Sequence, residues 1–133
     1  MIVVLLLAMA SVVGCEAAER RSGVDERQCH GELAVRTDVE MAAQWRRTLA
    51  KLKRDDVENR RQKLNVPDLA PPLLASQRAW LRYRDAQCAV VSNQAAGGTG
   101  YGDMGSLCEI ELTRQRIDIL RKLETDFLMP KVN

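Results

Sequence analysis

The sequence LLASQRAWLRYRDAQC, which runs from Leu73 to Cys88, carries the strongest structural signal in this chain of 133 residues. It has no alternation of apolar and polar residues typical of a strand, and apolar residues recur instead at steps of three and four. Such spacing places one stripe of side chains along a single helix face. The stripe contains Leu73, Gln77, Trp80, Leu81, Arg84, Cys88 and Val91. Two prolines just before it suit the first turn of a helix, where a missing N–H costs little.

A first helix precedes this segment and begins near Val24. Its apolar positions keep helical spacing, so one of its faces is buried. The charge-rich stretch from Lys51 to Lys63 continues this helix as a solvated segment with acidic and basic pairs. The sequence NVPDLAPP at 65–72 then ends it, because three prolines in six residues cannot continue an α-helix. The predicted buried positions are Ala34, Met41, Trp45, Thr48 and Leu52.

A last helix follows a glycine-rich turn at 97–102. The second helix reaches about Ala95, and the last one runs from near Asp103, a suitable N-cap, to about Phe127. Its two neighbouring apolar stripes form a face wide enough to require two partner helices. The stripes are Leu107, Ile110, Ile117 and Leu120, and Cys108, Leu112, Ile119 and Leu123. We therefore predict an all-α fold, a small antiparallel bundle of three main helices with disulfides.

The first 14 residues, MIVVLLLAMASVVG, form an uncharged apolar run of a different character. At ~1.5 Å per residue the run reaches only ~20 Å, too short for a ~30 Å hydrocarbon core, and it fits a secretory signal. Cleavage after Ala10 would leave Ser11 first. Alternatively, the sequence VVGC resembles a bacterial lipoprotein box and would make Cys15 a lipidated first residue. We predict a signal peptide or lipoprotein signal at 1–14, a helical domain at 15–128 and a tail at 129–133.

The four cysteines allow three disulfide connectivities. Cys88 and Cys108 flank the glycine-rich turn, so a bond between them would tie the second and third helices near that turn. Closing this loop of about 20 residues is worth roughly 3 kcal/mol. That leaves Cys15 with Cys29, unless Cys15 is lipidated and Cys29 is an odd thiol. Behind a signal, the thiols would enter an oxidising compartment in which disulfides form.

Charge balance and histidine content argue against several classes of function. The chain has 20 Lys and Arg and 18 Asp and Glu, a net charge of +2, without the clustered base that a nucleic-acid binder needs. The cysteines lack the C-x-x-C spacing of zinc sites. The only histidine, His30, adjoins Cys29, and adjacent helix positions do not face each other. We therefore expect no catalytic residue, no metal site, no cofactor and no nucleic-acid partner.

Gln77 and Arg84 are polar residues on the buried stripe of the second helix. An unpaired buried charge is expensive, so Arg84 must pair or reach water. Asp85, Asp38 or Glu40 of the first helix, and Glu109 or Glu111 of the last helix are candidate partners. We predict a structural polar network of Asp38, Gln77, Arg84, Asp85 and Arg114. A row of arginines (Arg78, Arg82, Arg114 and Arg116) is expected to be solvated, with an anion- or polysaccharide-facing groove as the alternative.

The glycine-rich turn lacks the G-K-[ST] sequence of a phosphate loop. Tyr101 at its tip is an aromatic residue in a chain with only 4% aromatic residues. Loops carry functional residues more often than cores do. Tyr101 and the neighbouring Asp103 are therefore candidate protein contacts.

Residues 75–88, ASQRAWLRYRDAQC, resemble the helix motif Q-R-A-W-x-x-[YF]-R-D-A-x-C of the lysozyme inhibitor LprI-like family. In that family a glycine-containing turn, a cysteine and L-T-R-Q-R follow, and the last of these lies here at 112–116. Upstream, the sequence DVEM at 38–41 resembles the family's D-x-E-L-N-x-x-Y. It departs from that pattern because Ala42 replaces the Asn and Trp45 replaces the Tyr. The resemblance covers roughly Cys15 to Leu123.

The resemblance implies a small helical protein that is secreted, periplasmic or lipid-anchored and has no catalytic residue. Cys15 and Cys29 match the family's early cysteine pair, which favours a disulfide over a lipid and leaves a membrane contact only if Cys15 is lipidated. At least one lineage of the family inhibits animal-type lysozyme. We therefore expect a non-enzymatic protein that binds a protein partner, with lysozyme as the candidate target. The alternative is a structural or assembly accessory of the cell envelope with no inhibitory target.

Electrostatics bear on this expectation because animal-type lysozyme is strongly basic. An acidic inhibitor would gain encounter rate from that charge, and a net charge of +2 offers no such steering. Asp55, Asp56 and Glu58 form the local acidic patch that could supply it.

Overall fold

The computed structural model describes Cys15 and residues 22–98 and 101–125, without the side chain of Tyr101. It contains three helices, α1 (Gly23–Arg61), α2 (Ala70–Gln94) and α3 (Tyr101–Glu124). The predicted all-α, three-helix fold is confirmed, and the described residues include no strand. None of these helices is long and apolar enough to cross a membrane. The predicted signal at 1–14 and tail at 129–133 lie outside the described residues.

Contacts between the helices define an up-down-up bundle. His30 of α1 contacts Asp103 near the start of α3, and Gln44 contacts Glu124 at its end, so α1 and α3 run in the same direction. The disulfide between Cys88 and Cys108 joins the end of α2 to the beginning of α3. The helix α2 is therefore antiparallel to the other two, and α1 packs most extensively against α3.

Both predicted disulfides are present. Cys15 pairs with Cys29, and Cys88 pairs with Cys108, with Cα–Cα distances of 5.7 and 5.5 Å. The chain leaves α2 through Gly97, whose φ of 86° lies in the left-handed region that favours glycine. A Cβ at Gly105 would collide with the hydroxyl of Ser92, so α2 and α3 lie in close contact beside the second disulfide.

The apolar core occupies the opposite end of the bundle, where α1 finishes. Leu52, Leu73 and Leu120 contribute one residue from each helix, and three partly buried residues surround them (Trp45, Leu49 and Leu123). Two members of the predicted α3 stripes do not belong to any core. Leu107 and Ile119 are 39% and 47% exposed. The apolar part of the buried face of α3 is smaller than predicted because two polar residues, Thr113 and Arg116, are buried on that face.

The N-terminus of α2 is capped by a side chain from α1. Leu69, at the N-cap position, makes no side-chain capping bond. Instead, the buried carboxylate of Asp56 accepts hydrogen bonds from the backbone N–H groups of Leu69, at 2.7 Å, and Ala70, at 2.9 Å. The next two residues are prolines, which have no N–H to satisfy. Asp56 is therefore a capping residue that fixes where α2 starts against α1, and not part of an exposed acidic patch.

We expect Asp56→Ala to lower the free energy of unfolding by about 1–2 kcal/mol, because it leaves two N–H groups at the start of α2 without an acceptor. The matched control is Asp55→Ala. Asp55 makes a partly exposed pair with Lys51 at 2.7 Å, so its loss is expected to change stability by about 0.5 kcal/mol or less. Chemical denaturation with the disulfides intact measures both changes. Equal effects of the two substitutions would contradict the capping role.

Candidate functional site

Two arginines contact the ring of Trp80 in the middle of the bundle. The guanidinium carbon of Arg84 lies 5.2 Å from the ring centroid, and that of Arg116 lies 5.8 Å from it. Cations at this distance from an indole face are attracted by its negative potential. We call these three residues, together with Asp38, Gln77 and Thr113, the arginine layer. It joins all three helices between the apolar core and the Cys88–Cys108 disulfide.

Arg84 is the member of this layer that is paired with carboxylates. Its Nη1 donates to Asp38 Oδ1 of α1 at 2.6 Å and to the Thr113 hydroxyl of α3 at 3.3 Å, and its Nε donates to Asp85 at 3.3 Å. Burial opposes the charged form of Arg84, but the attraction and hydrogen bonds of Asp38 and Asp85 together raise the pKa of the guanidinium. Arg84 therefore remains a cation that holds α1 and α3 to α2.

Arg116 is buried more deeply, at 6% exposure, and its partners in the layer are neutral. Its Nε donates to Gln77 Oε1 at 2.9 Å, and its Nη2 donates to the Ser76 hydroxyl at 3.1 Å. Burial lowers the pKa of Arg116. The amide of Gln77 donates in turn to Met41 Sδ at 3.3 Å, so it links α3 to α1. Every buried side-chain nitrogen and oxygen among the described residues has a hydrogen-bond partner.

The structure brings together four of the five residues that the sequence placed in a polar network. Asp38, Arg84 and Asp85 form one hydrogen-bonded group. Gln77 belongs to a second group, in which it accepts a hydrogen bond from Arg116. Arg114 is exposed, so its assignment to the network was wrong, and Arg116 occupies that place instead of lying on a solvated face. Arg116 is three residues from Thr113 and four from Leu120, both fully buried, and this spacing was the signal that could have identified it.

The net charge of +2 conceals a strong division of charge along the bundle. We call the half that carries the disulfides the cystine end, and it consists of residues 22–42, 82–98 and 101–112. It has nine acidic and four basic residues, a net charge of −5. The other half (residues 43–81 and 113–125), the basic end, has six acidic and thirteen basic residues, a net charge of +7. A basic partner and an acidic partner would therefore be attracted to opposite ends.

Large apolar side chains are exposed at the cystine end. Tyr83 of α2 is 55% exposed, and Met104 and Leu107 of α3 are 43% and 39% exposed. They line an open groove of about 320 Å³ between α2 and α3, which is mostly apolar and includes the acidic Glu111. The remaining lining residues are Gln87, Val91, Cys108 and Leu112. We call this surface the apolar edge. It combines aromatic, methionine and leucine side chains with surrounding negative charge.

The basic end has a groove of a different chemistry. It has a volume of about 570 Å³ and is lined by Arg46, Arg47, Ala50, Lys51, Arg54 and Glu124. Two of these basic side chains bond to other residues of the protein, since Lys51 pairs with Asp55 and Arg47 donates a hydrogen bond to Gln44. Glu124 also accepts hydrogen bonds from the buried Gln44 and Thr48. Sequence patterns did not identify this buried polar group.

The two residues predicted as protein contacts lie at the cystine end, where α3 begins. The side chain of Tyr101 is outside the described residues. The carboxylate of Asp103 is 14% exposed and bonds to His30 Nδ1 at 2.5 Å. Asp103 therefore contacts α1 and offers little surface to a partner.

A family model described as Lysozyme inhibitor LprI matches residues 15–120. The chain belongs to the lysozyme inhibitor LprI family. The matched region contains both disulfides of this LprI family member and all of its arginine layer. An uncharacterized protein of Rhizobium meliloti (strain 1021) is 30% identical over 102 residues, which are 77% of this chain and 73% of the relative. No solved structure matches this chain.

Family membership and the cystines together bear on the compartment. Disulfides persist in oxidising, extracytoplasmic environments and are rare in the cytosol. Both cysteine pairs form disulfides, and no cysteine among the described residues is free. The disulfides and the LprI family therefore indicate an extracytoplasmic protein.

We expect Gln77→Leu to lower the free energy of unfolding by about 2–3 kcal/mol, because it removes the acceptor of a buried guanidinium. Replacing both partners, in Gln77→Leu/Arg116→Met, is expected to restore most of that loss, since a buried charge no longer has to be satisfied. Gln87→Leu, on the exposed face of α2, is the control and is expected to change stability by about 0.5 kcal/mol or less. Guanidinium denaturation measures all three. Additive losses in the double variant would contradict this account of the layer.

Proposed function

We propose that this LprI family protein binds an animal-type lysozyme through its cystine end and inhibits it without catalysing any reaction. The observation that carries the proposal is the match of the Lysozyme inhibitor LprI family over residues 15–120. That match covers the bundle up to the last turn of α3. The surface is proposed from the chemistry of this chain.

Charge supports the cystine end as the binding surface. An inhibitor of a strongly basic enzyme gains association rate from a surface of opposite charge, and the cystine end has a net charge of −5. The acidic stretch that the sequence suggested does not serve this purpose. Asp56 is buried, Asp55 pairs with Lys51, and Glu58 pairs with Arg61 at 2.7 Å. These three carboxylates also lie at the basic end, where the surrounding charge would repel a basic partner.

Exposed apolar residues supply binding energy that electrostatic attraction alone does not provide. Interfaces derive most of their binding energy from a few aromatic and large side chains that become fully buried. Tyr83, Met104 and Leu107 are such residues, and they lie together on the apolar edge. Tyr101 remains a proposed contact, since α3 begins there at the same end of the bundle. We infer that the apolar edge is buried against the enzyme and that the acidic residues around it set the orientation.

Inhibition in this proposal is steric. Substrates of enzymes bind in concave clefts, and a protein that covers such a cleft excludes a polymeric substrate. The apolar edge is bordered by two helices that are held in contact by the Cys88–Cys108 disulfide and by the close approach at Gly105. A preorganised surface of this kind loses little conformational entropy on binding.

We further propose that residues 1–14 direct export and that the mature protein is secreted or periplasmic. The Cys15 sulfur is bonded to Cys29, and a sulfur in a disulfide cannot also carry a thioether-linked lipid. The disulfide-bonded form would therefore begin before Cys15, as cleavage after Ala10 requires. The mass of the mature protein distinguishes this form from a chain that is lipidated at Cys15.

A cell-wall turbidity assay tests the proposal with two matched variants of α3. A molar excess of the protein is expected to slow lysis by animal-type lysozyme. Leu107→Ser should raise the concentration for half-inhibition about tenfold, because it removes an anchor of the apolar edge. Ile119→Ser removes an exposed aliphatic side chain of similar size from the basic end and should leave inhibition unchanged.

A charge reversal supplies the second arm of this test. Glu111→Lys at the apolar edge should slow association with lysozyme at low salt, whereas Asp118→Lys, two turns further along α3, should affect it much less. Unchanged lysis rates against several lysozymes would refute inhibition and favour the role of an envelope assembly accessory. The proposed surface would be refuted if Ile119→Ser abolished inhibition while Leu107→Ser left it unchanged.

A further inference from the structure

The cystine end contains a cluster of three metal-ligating side chains that the proposed function does not use. Glu26 and His30 lie one helical turn apart on α1, and Asp103 lies in the first turn of α3. Their candidate donor atoms all lie within 4.8 Å of one another. His30 is the only histidine of the chain and is 7% exposed.

The local structure already holds these side chains in place. Residues four apart on a helix are neighbours on one face, so Glu26 and His30 point to the same side of α1. His30 follows Cys29, whose disulfide to Cys15 crosslinks the chain at the beginning of α1. Asp103 lies on the same helix as Cys108, which is bonded to α2. A site formed by side chains that are positioned in advance has a lower entropic cost of binding a ligand.

The donor set indicates the class of ion. Calcium and magnesium prefer oxygen ligands alone, whereas one imidazole nitrogen with two carboxylates suits Zn²⁺. The net charge of −5 at this end raises the local concentration of cations independently of the cluster. The sequence predicted no metal site because the cysteines lack the spacing of zinc ligands and the chain has a single histidine. The third ligand, Asp103, is 73 positions from His30 and reaches it only through the packing of α3 on α1.

We propose that Glu26, His30 and Asp103 bind one Zn²⁺ ion. His30 Nδ1 and Asp103 Oδ1 are 2.5 Å apart and share a hydrogen bond. In a tetrahedral zinc site two such ligand atoms would lie about 3.3 Å apart, so these side chains separate slightly as the ion enters. The ion takes the place of the hydrogen bond between them, and the neutral imidazole that binds it through Nδ1 carries its ring hydrogen on Nε2. Three protein ligands leave a fourth position for water. The bound ion ties the first turns of α1 to the start of α3.

The test uses the full, disulfide-bonded protein without a histidine tag, freed of metal by dialysis against a chelator. Calorimetric titration with Zn²⁺ is expected to give one site per chain. At about 100 times the dissociation constant, Zn²⁺ should raise the thermal midpoint by about 10–15 °C. Co²⁺ in the same site should give the intense visible absorption of a tetrahedral complex.

Variants separate metal binding from folding. Glu26→Gln retains the bond between His30 and Asp103, so it should weaken Zn²⁺ binding about tenfold or more without changing the midpoint in chelator. His30→Ala should abolish binding. Glu32→Gln, on the same helix and hydrogen-bonded to Gln28, is the control and should bind as the unaltered chain does.

Three results would overturn the site. The first is the absence of saturable Zn²⁺ binding by the unaltered chain. The second is equal affinity in the unaltered, Glu26→Gln and His30→Ala proteins, which would place the ion elsewhere. The third is equal affinity for Ca²⁺ and Zn²⁺, which would show that the imidazole does not take part.

Discussion

The need to satisfy two arginines, the buried Arg116 and the largely buried Arg84, is the constraint on which the arrangement of this bundle depends. Arg84 requires Asp38 from α1 and contacts Thr113 from α3, while Arg116 requires Gln77 and Ser76 from α2. Trp80 lies against both guanidinium groups. A shift of any helix by one turn would leave at least one buried cation without its partners. Buried charges are weak sources of stability, so we interpret this layer mainly as a device that specifies register.

The register explains why charge is divided between the two ends. With α1 and α3 parallel and α2 antiparallel, the acidic first turns of α1 and α3 lie beside the end of α2. The basic second half of α1 and the basic last turn of α3 lie together at the other end. The same arrangement places both disulfides and the apolar edge at the cystine end. A nearly neutral chain thus presents two surfaces of opposite charge, which overall composition does not reveal.

Local pattern was sufficient for the helices and for the pairing of Cys88 with Cys108, whereas the family resemblance favoured the pairing of Cys15 with Cys29. Prolines and glycines mark the breaks, the spacing of apolar residues gives the faces, and Cys88 and Cys108 flank a turn. The sites depend on helix rotation and on contacts between distant residues, which spacing alone does not fix. Arg114 and Arg116 differ by two positions, or about 200° around a helix, and only the packing shows which one is buried. Asp56 and Asp103 likewise obtain their roles from α2 and α1, respectively.

In the proposed complex, this LprI family protein contacts lysozyme with the apolar edge at its cystine end. Methyl NMR spectra of the labelled protein, recorded with and without unlabelled animal-type lysozyme, test it most directly. We predict that the signals of Met104 and Leu107 shift or broaden, whereas those of Ile119 and Val57 at the basic end stay unchanged. Perturbation confined to Ile119 and Val57, or no perturbation at any of the four, would contradict the account.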